Sequence, residues 1–112
     1  MVTPITRSEL ADRLQGDDAP IVVEALGAAY FEDAHLPGAR NLPHDADPTV
    51  IAAVLPDLDA EVVVYCSNLA CQNSVVLSRR LDQLGYRAVR EYEGGKQDWI
   101  EGGLPVESAV TV

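Results

Sequence analysis

Cationic side chains are scarce in this sequence: eight Lys and Arg stand against 18 Asp and Glu, a formal charge of −10 over 112 residues. A surface of that sign repels polyphosphate backbones and anionic headgroups, so neither nucleic acid nor a membrane is expected as a partner. It gives no long-range attraction to an anionic substrate either, which would have to be bound locally. The plainer meaning of the acidic excess is a well-hydrated surface. Cysteine is equally sparse. Cys66 and Cys71 are too few for a disulfide scaffold and lack the second ligand pair of a zinc site. His35 and His44 sit in another loop, and no metal or other cofactor is expected. No apolar run approaches the roughly 20 residues that cross a bilayer. Arg7, Glu9, Asp12 and Arg13 interrupt the segment that would be apolar in a secretory leader, so a cytoplasmic protein is expected. The 47% hydrophobic content argues against disorder, and the length suits one domain over 1–112.

The remaining pattern is organised around Glu61 to Leu84. Val62-Val63-Val64-Tyr65 is a short apolar run, suited to a buried strand, that delivers Cys66 to its C-terminal end. An uncharged loop of Ser67, Asn68, Leu69, Ala70, Cys71, Gln72 and Asn73 follows. Ser74 then opens a helix with Leu77, Leu81 and Leu84 on one apolar stripe, and Gly85 is placed to end it. A strand, a tight loop and a helix N-terminus aim several backbone N–H groups at one spot, where the helix dipole adds positive potential. Cys66 is therefore the candidate nucleophile, expected to ionise more readily than a free thiol. The competing reading makes it a small buried hydrophobe. Its place at a strand end, ahead of a polar loop, favours the functional one.

Elsewhere, Thr6-Arg7-Ser8-Glu9 has the capping-box pattern ahead of a helix carrying Leu10 and Leu14. Ile21-Val22-Val23-Glu24 reads as a buried strand and a short helix through Tyr30 and Phe31 follows. A short strand is expected near Ala39–Leu42, and Asp47-Pro48 starts a helix to about Leu55. Ala88 to Tyr92 forms another strand before a last helical segment with Trp99. Strands alternating with helices at short spacing imply an α/β fold, with a central parallel sheet covered on both faces. Ligands bind such sheets beyond the carboxyl ends of the strands, where Cys66 lies.

His35-Leu36-Pro37-Gly38-Ala39, the strand Val62–Tyr65 leading into Cys66, and Tyr92-Glu93-Gly94-Gly95-Lys96-Gln97-Asp98-Trp99 with Gly103-Leu104-Pro105 behind it together resemble a single-domain rhodanese over Thr6 to Val106. The resemblance implies the rhodanese-like three-layer α/β fold, with Cys66 as the catalytic cysteine. It implies transfer of sulfane sulfur through a Cys66 persulfide to a thiophilic acceptor such as cyanide or a thiol. The loop departs from the family pattern: it is two residues longer and contains no Gly, Arg or Lys. Leu26 occupies the place of a second common Arg.

Thiosulfate is a dianion, and one fixed cation would hold it by about 1.5–3 kcal/mol, as a charge-assisted hydrogen bond does. Without that cation, weak thiosulfate activity is expected, and a small-molecule or protein persulfide is the expected donor to a thiol acceptor. Phosphate or arsenate chemistry on a cysteine needs a loop Arg even more, which argues against those activities. Two other classes stay open. One is a thiol oxidoreductase in which Cys71 resolves an oxidised Cys66 and a thioredoxin-like dithiol restores the pair. The other is a non-catalytic rhodanese-like binding module. Cys71 is either that resolving thiol or an inert residue behind the loop. His35 is read as structural, Trp99 as core, and Arg79 and Arg80 as solvated.

Overall fold

Five short strands and five helices alternate along the chain, and the computed structural model describes residues 2–108 of it. The strands are β1 (Val2–Pro4), β2 (Ile21–Glu24), β3 (Arg40–Asn41), β4 (Glu61–Tyr65) and β5 (Ala88–Tyr92); the helices are α1 (Arg7–Leu14), α2 (Ala28–Asp33), α3 (Pro48–Val54), α4 (Asn73–Gln83) and α5 (Gly95–Glu101). The strands form one sheet in the order β1-β5-β4-β2-β3, with every pairing parallel. β4 is its centre.

Side chains alternate across a strand, and here both sets are apolar because both faces are covered. Val62 and Val64 pack with Val23, Ile51 of α3, and Leu77 and Leu81 of α4. Val63 and Tyr65 belong to the opposite core, with Leu10 of α1, Tyr92, and Trp99 of α5. This is the three-layer arrangement anticipated above. The capping box of α1 is formed in both directions: Thr6 N–H donates to Glu9 Oε1 at 3.0 Å, and Glu9 N–H to Thr6 Oγ1 at 3.2 Å.

Two details depart from the expectations. β1 has no counterpart in the sequence reading; three residues ending in Pro are too short to show a period, and an edge position tolerates the missing N–H. Leu84 is not on the buried stripe of α4. It is the C-cap residue and 42% exposed. The chain turns at Gly85, whose φ is 98°, with Gly85 N–H on Asp82 O at 3.2 Å and Tyr86 N–H on Leu81 O at 3.1 Å. Those two bonds form a Schellman motif, and buried Tyr86 takes the apolar position beside Leu81.

The α5 N-terminus fixes the cysteine loop. Lys96 N–H donates to Cys66 O at 2.9 Å and Gln97 N–H to Ser67 O at 2.8 Å. Gly95 makes this approach feasible: its φ is 68°, and a Cβ there would lie 2.5 Å from Cys66 O and 2.9 Å from Asn68 N. No other residue fits without displacing the loop backbone.

The revised stripe has a measurable consequence. Leu77→Ala removes a fully buried side chain and should cost about 2–5 kcal/mol, whereas Leu84→Ala should cost less than about 1 kcal/mol in urea denaturation. Equal losses would contradict the placement of Leu84.

Candidate active site

β4 ends at Tyr65, and Cys66, 1% exposed, is the next residue. Its thiol faces two acceptors, Ser74 Oγ at 3.3 Å and the Cys71 carbonyl at 3.4 Å. Ser74, buried at the start of α4, in turn donates its hydroxyl proton to Glu91 Oε2 at 2.7 Å. The serine proton is thus committed to a carboxylate, and its lone pairs face the Cys66 S–H.

Cys71 is the second sulfur of the site. It is partly exposed, Cys66 Sγ lies 3.4 Å from its carbonyl, and the N–H groups of Ser67 and Asn73 point at its thiol. Asn73 is the first residue of α4, so Cys71 sulfur occupies the anion position at the helix N-terminus. The acidities follow. Burial pushes the Cys66 thiol up, the interaction with Cys71 adds to this, and the Ser74 hydroxyl and N–H only partly oppose it. Burial acts against Cys71 as well, but hydrogen bonds from Cys66, Ser67 and Asn73 outweigh it and bring that thiol below its ordinary range. The expectation that Cys66 ionises readily is therefore corrected: the loop's N–H groups are turned toward the other cysteine.

The remaining loop residues serve the backbone more than the sulfur. Asn68 closes an Asx turn, its Oδ1 accepting from Ala70 N–H at 3.0 Å and its carbonyl from Cys71 N–H at 3.1 Å. Leu69 and Ala70 are exposed at the tip. Leu69, Cys71, Gln72, Val75, Glu91 and Glu93 line a cavity of about 180 Å³. A second cavity, about 360 Å³, opens on the other side of the tip against Asn68, Gly94 and Gln97. Cys66 lines neither.

Two carboxylates escaped the sequence reading. Glu91 was legible only as a charge inside a strand that should read as apolar. Glu24 is fully buried at the end of β2, accepting from Tyr65 Oη at 2.8 Å and lying 3.0 Å from Lys96 Nζ. Lys96 also donates to Tyr30 O at 2.9 Å. Although Lys96 lines a cavity with Ser67 and Asn68, its charge is compensated by Glu24. Buried Leu26 supplies no charge where an Arg was noted as missing. His35 has the structural role expected of it, with Nδ1 2.6 Å from Phe31 O and its ring stacked on that of Phe31. Trp99 is core, its indole N–H on Pro105 O at 2.8 Å. Arg79 is exposed, but Arg80 is tied to His44 O at 2.7 Å and is not merely solvated.

The model of the family described as Rhodanese-like domain matches residues 6–101. No curated protein matches the sequence at a significant level. Among solved structures, the BH2092 protein of Bacillus halodurans superimposes with a TM-score of 0.87 at 23% identity, over 96% of this chain and 77% of that one. A thiosulfate sulfurtransferase of Pseudomonas aeruginosa gives 0.85 at 25% identity; 96% of this chain is covered but only 20% of the relative, so the chain spans about a fifth of that protein. A rhodanese from E. coli, solved with anions, gives 0.66 at 27% identity over 80% of this chain and 99% of that one. With the family model matching nearly the whole length and the cysteine standing at the end of the central strand, the chain belongs to the rhodanese-like domain family.

Proposed function

We propose that this protein is a sulfurtransferase that moves sulfane sulfur through a persulfide on Cys66 to a thiol acceptor. The observation that carries the reading is the position of Cys66, at the carboxyl end of the central parallel strand beneath a loop that runs into the N-terminus of α4. The donor is a persulfide or polysulfide, free or on a protein. A persulfide group brings at most one negative charge, which backbone N–H groups can accept; a dianion asks for the cation that the loop lacks. The free thiols Cys66 and Cys71 fit a reducing compartment, and the cytoplasm is the proposed location. Among the described residues no helix is long and apolar enough to cross a membrane.

The nearness of the two cysteines, with Cys66 Sγ 3.4 Å from the Cys71 carbonyl, supports one further branch. Attack of Cys71 on the inner sulfur of a Cys66 persulfide would expel sulfide and leave a Cys66–Cys71 disulfide, which a thioredoxin-like dithiol would reduce.

Incubation with a persulfide donor should add one sulfur atom to the protein, and transfer to a thiol acceptor should disappear in Cys66→Ser. Intact-mass and acceptor assays read both. A protein that never gains sulfur, or a Cys66→Ser variant that still turns over, would contradict the reading. Sulfide release with a disulfide product in wild type, and a lasting persulfide in Cys71→Ser, would mark the disulfide branch.

Thiosulfate should be a poor donor beside a persulfide. Asn73→Arg supplies one cation at the start of α4 and should raise kcat/KM for thiosulfate roughly ten- to a hundredfold, the equivalent of one charge-assisted hydrogen bond. Wild-type thiosulfate turnover equal to persulfide turnover would sink this explanation.

A further inference from the structure

We propose that Cys71 is the thiol that first takes sulfur from the donor, and that Cys66 receives it by transfer within the loop. This step rests on the sulfur-transfer reading above and precedes the Cys66 persulfide. Four observations carry it. Cys66 is 1% exposed and lies beneath the loop, whereas Cys71 is partly exposed and lines the surface cavity with Leu69, Gln72 and Val75. The N–H groups of Ser67 and Asn73 are aimed at Cys71 sulfur, as a nucleophilic thiolate requires. The start of the loop is held in place by the Lys96 and Gln97 N–H groups on the Cys66 and Ser67 carbonyls. Finally, Cys66 Sγ lies 3.4 Å from the Cys71 carbonyl, so the two cysteines are immediate neighbours within the loop.

The chemistry balances without an added oxidant. Cys71 thiolate attacks the outer sulfur of a donor R–S–SH; the Cys71 S–S bond forms, the donor S–S bond breaks, and RS⁻ leaves. Cys66 then attacks the same outer sulfur. The new bond forms on Cys66, the bond to Cys71 breaks, and Cys71 departs as thiolate. The proton of Cys66 passes to Ser74 Oγ as the serine proton passes to Glu91 Oε2, along the 3.3 Å and 2.7 Å contacts already in place. No sulfur is oxidised or reduced in the second step.

A short pulse of a low-molecular-weight persulfide at neutral pH, quenched with excess alkylating agent and mapped by peptide mass, tests the order. In wild type the first sulfur should appear on Cys71 and move to Cys66 with time. Cys66→Ala should still take up sulfur, and hold it on Cys71, whereas Cys71→Ser should slow loading of Cys66 by about tenfold or more. Should Cys66→Ala fail to fold, the wild-type time course alone decides the order. Loading of Cys66 at the wild-type rate in Cys71→Ser, or first appearance of sulfur on Cys66, overturns the proposal and leaves the one-cysteine sulfurtransferase standing. Absence of sulfur on either cysteine overturns the sulfur-transfer reading itself, and this proposal with it.

Discussion

Two backbone hydrogen bonds from the first turn of α5, Lys96 N–H to Cys66 O and Gln97 N–H to Ser67 O, hold the cysteine loop against the end of the sheet. A buried carbonyl without such a partner would cost about 1–3 kcal/mol, so the loop could not stay down on packing alone. The approach is so close that Gly95 cannot carry a side chain. With the loop pinned from this side, its other half is free to curl over Cys66 and bring Cys71 back to the start of α4. The central strand, the loop and two helix N-termini thus act together to place the two cysteines.

Within that arrangement the donors are shared unequally. Ser67 and Asn73 N–H serve Cys71, while Cys66 receives Ser74 N–H and faces a serine whose proton belongs to Glu91. A hydrogen bond from one thiol to the other stabilises the acceptor's charge and opposes the donor's own ionisation. The two cysteines therefore differ: burial holds back ionisation of the inner thiol, which has a carboxylate at the end of its hydrogen-bond chain, while the outer thiol ionises more readily. The same local logic accounts for the missing cation. Lys96 stands beside the loop, yet its charge is spent on buried Glu24, which also holds Tyr65.

Much of this was legible in the residues. The capping box at Thr6, the β-branched runs of β2 and β4 and the Gly-Gly turn before α5 are local signals that tertiary packing did not override. β1 was not legible, since three edge residues show no period and owe their strand to Val89, Arg90 and Glu91 opposite. Leu84 misled because a periodic pattern does not record where a helix stops; Gly85 and Tyr86 decide that. In the site, strand-Cys-loop-helix order located both thiols, but it counted the loop's N–H groups without saying which sulfur they would face. That depends on how the two extra loop residues fold. Glu91 was hidden because its partner, Ser74, lies 17 positions away.

The claim on which the rest turns is that Cys71 ionises before Cys66. Titration of thiolate absorbance in wild type, Cys66→Ala and Cys71→Ala measures it most directly. Wild type should release two protons in separate steps; Cys66→Ala should move the Cys71 step to higher pH by removing its S–H donor, and Cys71→Ala should move the Cys66 step to lower pH. Single variants that titrate at the wild-type midpoints, or a Cys66 step that comes first, would contradict the account.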